Sequence, residues 1–399
     1  MPGPLEGVRA VELAVWVAGP AAGGILADWG ADVVKLEPLG GDPFRGLGAM
    51  LGGGGMPPPF ELDNRGKRSI ALDLASEEGR AIAHALARRA DVFLTNQRPA
   101  GVARLGLDYE SLRAVNPRLV YAHVSAYGLG HEDADRAAFD VGAYWARGGI
   151  ASLLRSSSGE LPMQRGGFGD HATGANAAGA IAAALYARER TGEGQFVTTS
   201  LLRTAVYQLG WDLNTALRTG VVPQPGDRRA FLNPLINCYE VREGRWIWLL
   251  MLQGDRHWPD FCRAVQREQW RDDPRFETLL ARAQHAGALV LLIEAVLGTR
   301  TLEEWAPIFD AHDVWWAPVQ DVEQLLADPV AELAGAWREL PVADGAPLRT
   351  VATPADFTGT PWEIRAGAPE LGQQTEEVLL ELGYDWDRIA ALKERGVIP

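Results

Sequence analysis

Two short apolar runs flank a helical segment within the first 37 residues, and this order restricts the possible fold more than any other feature of the chain. The runs are VRAVEL (8–13) and DVVKLE (32–37), and both have the length and β-branched content of buried strands. Between them lies PAAGGILADWG, with Pro20 in its first turn and Gly30 at its end, positions that favour the start and the end of a helix. The segment predicts a βαβ unit and therefore a parallel sheet.

The same alternation continues for about 90 residues. Apolar runs at 67–74, 91–96 and 118–128 predict further strands, and SEEGRAIAHALARRA (76–90) predicts a helix that begins at Ser76. The fold class is therefore α/β, with a Rossmann-like large domain built on a parallel sheet. The GxGxxG motif is absent, so a nicotinamide or flavin dinucleotide is not predicted.

The pattern changes after about residue 205. Two β-like runs around the turn REG in CYEVREGRWIWLLML (238–252) predict a hairpin, and mainly helical segments follow. We therefore expect three parts. Residues 1–205 form the first part of the large domain, residues 225–330 form a smaller α+β domain, and residues 340–399 form a C-terminal segment that returns to the large domain.

Charge and composition exclude several partners. A net charge of −14 disfavours nucleic acid, which needs a basic surface, so an anionic ligand would require a local basic pocket. The two cysteines, Cys238 and Cys262, predict buried thiols in a reducing compartment rather than a disulfide or a metal site. No apolar run reaches the length of a membrane span. We expect a cytoplasmic protein without a metal.

One acidic residue, Asp170, follows GGFG and precedes an alanine-rich segment over 171–190 that predicts a helix. The helix dipole and the free backbone N–H groups at such a position should keep the carboxylate ionised. Two roles are compatible with this placement. Asp170 could be a helix cap, or the glycines could leave it open to a large ligand so that it acts as a covalent nucleophile.

Several ordered blocks make the chain resemble the class III CoA-transferases, the family of formyl-CoA transferase and carnitine CoA-transferase, which also includes α-methylacyl-CoA racemase. The blocks are the N-terminal PLEGVRAVELAVWVAGPAAGGILADWGADVVKLE, NRGKRSIALDL, LTNQRPAGVARLGLDYESLRAVNPRLVYAHVSAYG, GGFGDHATG, ARERTGEGQFVTTSLL and APELGQQTEEVLLELG. The resemblance covers nearly the whole chain. It implies an interlocked homodimer with acyl-CoA and a carboxylic acid as substrates and no permanently bound cofactor.

In this family the Asp that matches Asp170 is the nucleophile. The resemblance therefore implies that CoA moves reversibly between an acyl-CoA and a free carboxylic acid through an aspartyl anhydride and an aspartyl-CoA thioester. Asp140 matches a second acidic position near the catalytic carboxylate, where it could support the active site or only cap a loop.

Two alternatives remain. The racemases of the family use a His–Asp pair, and Phe139 stands where their His lies, which disfavours a two-base mechanism. His171, next to Asp170, could still act as a base, or it could point away from its neighbour. The second alternative is a non-catalytic CoA-binding protein, which the intact Asp170 disfavours.

The resemblance also implies a set of CoA-binding residues. They are Trp16, Val17, Ala18, Leu72, Asn96, Arg98, Arg104, Leu105 and Phe139. Three basic positions of formyl-CoA transferase are replaced, by Pro38, Ala75 and Ala137. Arg104 is then the first candidate for the CoA phosphates, followed by Arg98 and the cations of NRGKRS (64–69), namely Arg65, Lys67 and Arg68. That segment could instead be a solvated turn.

Overall fold

A computed structural model describes residues 3–47, 55–156, 159–222, 224, 226–229, 231–342 and 345–399. Its strands are β1 (Arg9–Leu13), β2 (Asp32–Glu37), β3 (Arg68–Ala71), β4 (Val92–Thr95), β5 (Val120–Ser125), β6 (Phe196–Ser200), β7 (Ile236–Glu240), β8 (Trp246–Leu250), β9 (Trp316–Val319), β10 (Trp337–Leu340) and β11 (Leu348–Val351). Its α-helices are α1 (Ala18–Asp28), α2 (Pro58–Asn64), α3 (Glu77–Arg89), α4 (Pro99–Arg104), α5 (Tyr109–Val115), α6 (Ile150–Leu153), α7 (Phe168–Thr191), α8 (Leu201–Gln208), α9 (Gly210–Thr219), α10 (Gly254–Ala264), α11 (Leu279–Gln284), α12 (Ala286–Leu297), α13 (Leu302–Ala311), α14 (Val322–Leu326), α15 (Pro329–Leu333), α16 (Thr375–Glu381) and α17 (Trp386–Glu394).

Six of the strands form one sheet in the order β3-β2-β1-β4-β5-β6, and all five of its pairings are parallel. This order reverses direction between β1 and β4, as in a doubly wound α/β sheet. The predicted α/β class with a parallel sheet is confirmed.

Successive residues of the sheet strands enter two separate hydrophobic cores because strand side chains alternate between faces. In β1, Ala10 belongs to the core beneath α1 and α7, whereas Val11 belongs to the core beneath α3 and the C-terminal helices α16 and α17. Both faces of the sheet are therefore covered. Covering on both faces explains why a central strand such as β4, with the sequence VFLT, is buried at every residue.

The helix predicted from Ser76 shows how local chemistry sets an element. Ser76 accepts a hydrogen bond from the backbone N–H of Gly79, and Glu77 and Glu78 occupy the first turn of α3. The basic residues Arg88 and Arg89 lie in the last turn. Acidic residues at the first turn and basic residues at the last turn interact favourably with the helix dipole. The observed helix differs from the predicted one by a single residue at each end.

The chain divides into two compact units. The first contains residues 1–152, 162–223 and 333–399 and carries the six-stranded sheet, with the small antiparallel pair β10–β11. The second contains residues 153–161 and 224–332. In the second unit β7, β8 and β9 form an antiparallel sheet, and the predicted hairpin of β7 and β8 is confirmed.

None of the helices in the described ranges combines the length and the apolar character that crossing a bilayer requires.

Candidate active site

A cavity of about 610 Å³ opens at the carboxyl ends of β1, β4 and β5 in the first unit. It lies where the strand order reverses, which is the usual ligand position in open parallel sheets because the loops leave the sheet there in opposite directions. Its walls come from the loops after β1 and β4, from the segment 134–139, and from Asp170.

Asp170 lies in the first turn of α7, and two glycines shape that turn. Gly167 caps the helix with a φ of 86°, a left-handed conformation that favours glycine. A Cβ built on Gly169 would lie 2.3 Å from Cγ of Tyr144, so a larger residue would displace the turn. Gly167 is therefore needed for the backbone conformation, and Gly169 is needed for close packing against Tyr144. These roles are more specific than the expected one, which was to leave the carboxylate open to a ligand.

The pKa of Asp170 is higher than the sequence expectation of an ionised carboxylate implies. The pKa of the Asp170 carboxyl is raised to about 7, chiefly by burial and also by the charges of Asp140 and Asp63, while His171 opposes the rise. No hydrogen bond or ion pair to this carboxylate occurs among the described residues. The expectation that the helix terminus alone keeps Asp170 ionised is therefore wrong, because burial and nearby carboxylates dominate.

Asp140 supports the first turn of α7. It is 2% exposed, and its Oδ2 accepts a hydrogen bond of 3.3 Å from the backbone N–H of Gly169. Burial raises the pKa of Asp140, whereas the backbone N–H groups of Gly169, Val141 and Gly167 oppose that rise. The carboxylate thus fixes the backbone directly before Asp170.

The side chain of His171 is hydrogen-bonded to a buried carboxylate. Its Nε2 donates to Oδ1 of Asp63 over 3.0 Å, and Asp63, in α2, is 2% exposed. Sequence reasoning missed Asp63 because it lies 108 residues from its partner in a segment with no catalytic motif. The nearest signal was the adjacency of His171 and Asp170.

Trp16 and Phe139 form an aromatic wall of the cavity. Their rings meet edge to face with centroids 5.3 Å apart, and the Trp16 backbone has a left-handed φ of 64°, which is strained for a bulky residue. The Trp16 N–H donates to Oδ1 of Asp42 over 3.1 Å, and Oδ2 of Asp42 pairs with the buried Lys35 ammonium at 3.0 Å. These contacts hold the loop after β1 in its strained form.

The structure brings most of the expected CoA-binding residues to this cavity. The residues at its wall are Trp16, Val17, Ala18, Asn96, Arg98, Arg104 and Phe139. The side-chain amide of Asn96 is occupied there by both hydrogen-bonding groups of the Val15 backbone, at 3.0 and 2.7 Å. Leu72 is fully buried in the core beneath α3, and Leu105 packs against the same core, so neither lines the cavity.

The cations of NRGKRS are used elsewhere. Arg65 is buried against Asp28 at 2.7 Å, Lys67 is buried against Glu12 at 2.7 Å, and Arg68 pairs with Asp32 at 2.6 Å. They are committed to structural ion pairs, so both the phosphate-binding reading and the solvated-turn reading of this segment are wrong for Arg65 and Lys67. Arg98 and Arg104 are exposed at the cavity and have no ion-pair partner among the described residues.

Comparisons with known proteins agree on one family. The sequence profile described as CoA-transferase family III matches residues 5–375. The chain is 32% identical to an (R)-2-hydroxy-4-methylpentanoate CoA-transferase of Clostridioides difficile over 99% of both chains. It is 34% identical to a succinate–glutarate CoA-transferase of Agrobacterium fabrum over 95% of this chain and 96% of the other.

The solved structures agree with the sequences. A CAIB/BAIF family protein from Brucella suis superimposes with a TM-score of 0.83 at 29% identity, over 96% of this chain and 100% of the other. Matches in sequence and in fold thus extend over nearly the full length. The protein belongs to CoA-transferase family III.

Proposed function

We propose that this CoA-transferase moves CoA reversibly between an acyl-CoA thioester and a free carboxylic acid, with Asp170 as the covalent nucleophile. One observation carries the proposal: a carboxylate without a hydrogen-bond or ion-pair partner among the described residues faces a cavity of about 610 Å³ at the switch point of the sheet. An unpaired, mostly buried carboxylate is a poor structural element, but it suits nucleophilic attack.

The first half-reaction transfers CoA to the enzyme. A carboxylate oxygen of Asp170 attacks the donor thioester carbonyl, and the CoA thiolate leaves, which forms an acyl-aspartyl anhydride. The thiolate then attacks the aspartyl carbonyl and expels the donor carboxylate, which leaves an aspartyl-CoA thioester. The acceptor carboxylate reverses these two steps and regenerates Asp170, so no net proton or electron is consumed.

Asp140 is proposed as the support of this nucleophile. Its hydrogen bond to the Gly169 backbone fixes the turn that carries Asp170, and misplacement of a reacting group by about 1 Å can cost on the order of 100-fold in rate. The aromatic wall of Trp16 and Phe139 would contact the CoA arm, and Val17 and Ala18 begin the helix beside it.

Arg104 and Arg98 are proposed to bind CoA phosphates. An Arg104→Ala variant should raise KM for acyl-CoA about tenfold with little change in kcat, because hydrogen bonds to charged groups contribute about 1.5–3 kcal/mol. Steady-state kinetics measures this, with Arg113→Ala on α5, outside the cavity lining, as the matched control. An equal penalty on an acyl-pantetheine thioester, which lacks the adenosine phosphates, would contradict the assignment.

The reaction class can be tested without knowing the natural substrates. Mass spectrometry should show CoA exchange when a panel of acyl-CoA donors is incubated with a panel of carboxylic acids. The relatives act on hydroxy acids and dicarboxylic acids by their names, so both belong in the panel. Deuterium uptake at the α-carbon without any acceptor acid would instead indicate a racemase, and no exchange with any pair would indicate a CoA-binding protein.

We also propose that the chain forms a homodimer, in the interlocked arrangement of its family. The helices α8 and α9 expose Tyr207, Trp211 and Leu217 by 84%, 87% and 81%, and apolar groups of this size rarely remain uncovered on a monomer. A second copy would cover them.

The unpaired cysteines Cys238 and Cys262 support the proposed cytoplasmic location.

The dimer proposal predicts a mass in solution of twice 43.2 kDa. Light scattering after size exclusion should give this value at micromolar concentration, and a Trp211→Glu/Leu217→Glu variant should lose it, because two charges would be buried without partners. A monomeric wild-type protein would disprove the proposal.

A further inference from the structure

His171 is fixed beside the nucleophile by a contact from a different part of the chain. It follows Asp170 in the first turn of α7, and its ring lies near Gly167, where an added Cβ would be 3.7 Å from Cε1. Its Nε2 donates to Oδ1 of Asp63 over 3.0 Å. Because Asp63 is buried in α2, this hydrogen bond restricts the orientation of the imidazole.

Carboxylates outnumber cations around the pair of His171 and Asp170. Asp63, Asp170 and Asp140 all face His171, so three carboxylates act on one imidazole. Asp170 in turn faces Asp140, His171 and Asp63. Within the described part of the chain, His171 is therefore the group that can oppose the two neighbouring carboxylates at Asp170.

Two further charged groups act on Asp63 rather than directly on His171. Lys67 and Glu12 both face Asp63, and they are paired with each other at 2.7 Å. Burial acts to lower the pKa of His171, but the hydrogen bond and charge of Asp63, followed by the charges of Asp170 and Asp140, raise it overall. A buried carboxylate that accepts a hydrogen bond from an imidazole favours the protonated form of the imidazole.

We propose that Asp63 holds a protonated His171 beside Asp170, and that this cation increases the ionised fraction of the nucleophile near neutral pH. Asp63 and His171 are positioning residues in this scheme, since they act on the reaction through Asp170. The inference rests on the proposed role of Asp170. It explains how a carboxylate that is mostly buried beside two other carboxylates can still attack a thioester.

The pH dependence of kcat/KM tests the proposal. Asp170 acts as an anion, so kcat/KM should rise with pH up to its pKa and then level off. In His171→Gln the rising limb should move up by about one pH unit, the lower end of the effect of an adjacent opposite charge. This gives a loss of roughly tenfold at pH 6 and less than twofold at pH 9.

Two further variants separate charge from structure. His171→Lys keeps a cation at all these pH values, and the side chain of His171 is 45% exposed, so a longer chain has room. Its rising limb should stay at or below that of the wild type. His285→Gln, an exposed histidine in the second unit, is the matched control and should leave the profile unchanged.

NMR titration of selectively labelled histidine gives a readout independent of activity. The pKa of His171 should fall in Asp63→Asn, because its hydrogen-bonded partner loses its charge. It should also fall in Asp170→Asn, since the coupling between two sites is reciprocal. Both variants are compared with the wild-type protein under the same conditions.

The outcomes distinguish the two proposals. An His171→Gln profile that is lowered equally at all pH values, or that is not displaced, would overturn the role of His171, as would a His171 pKa that ignores both Asp variants. Full exchange activity in Asp170→Asn would instead overturn the proposed function, whatever the His171 titration shows.

Discussion

Asp170→Asn is expected to lose CoA exchange by on the order of 1000-fold or more, because removal of a covalent nucleophile abolishes the chemical route rather than weakening binding. The amide cannot form the anhydride, although it preserves the size of the side chain in the first turn of α7. The measurement is the rate of thioester exchange with the best donor and acceptor pair. Binding of acyl-CoA should be retained.

The covalent step should also be directly visible. Wild-type protein incubated with acyl-CoA and hydroxylamine should form a hydroxamate at residue 170, which peptide mass spectrometry locates, whereas Asp170→Asn should form none. Asp387→Asn is the matched control, because Asp387 also lies in the first turn of a helix, α17. Exchange at the wild-type rate in Asp170→Asn would end the proposed mechanism.

Glu12→Gln is expected to destabilise the protein by about 3–5 kcal/mol, because it leaves buried positive charge without its counterion. Glu12 is 0% exposed in β1, between the ammonium groups of Lys35 at 3.1 Å and Lys67 at 2.7 Å. An added Cβ on Gly23 would lie only 1.8 Å from Oε2 of Glu12, so α1 covers the cluster closely. Urea unfolding measures the difference.

Acid should reduce this difference. Burial acts to raise the pKa of Glu12, but Lys67 and Lys35 lower it overall. A lowered pKa contributes stability fully above the unfolded value of about 4.3 and loses it as the pH falls through the folded value. The wild type and the variant should therefore become more alike below about pH 4.

Two controls accompany the stability measurement. Glu193→Gln changes an exposed glutamate and should stay within about 0.5 kcal/mol of the wild type. Glu12→Gln/Lys67→Met removes both partners and should recover part of the loss, since a missing pair costs less than an unpaired charge. Equal stability of Glu12→Gln and the wild type would show that the cluster is not a stabilising element.

Elements with strong local signals were predictable. The strands β1 and β2 lie within the predicted segments, because apolar runs act over a few residues. The helix α1 overlaps the predicted segment 20–30 but begins two residues before it, at Ala18. The helix α3 follows from the cap at Ser76. The order of the strands did not follow from the sequence, because pairing depends on contacts between segments that are far apart in the chain.

The site was predictable only in part. The acid at 170 and the loop at 16–18 were identified, but their surroundings were not. Asp63 has no local signature, and the cations at 65 and 67 read as surface groups because their partners, Asp28 and Glu12, lie 37 and 55 residues away. Short-range rules cannot anticipate ion pairs of that separation.

The sequence by itself determined the class of the fold, which depends on patterns of neighbouring residues, and its family resemblance pointed to Asp170 as the proposed nucleophile. Only the tertiary structure decided which arginines remain available at the cavity and that the pKa of Asp170 is near 7. The physical reason is that burial and Coulomb interactions depend on distance in space. Folding sets these distances, and it places Asp63, Asp140 and His171 around one carboxylate.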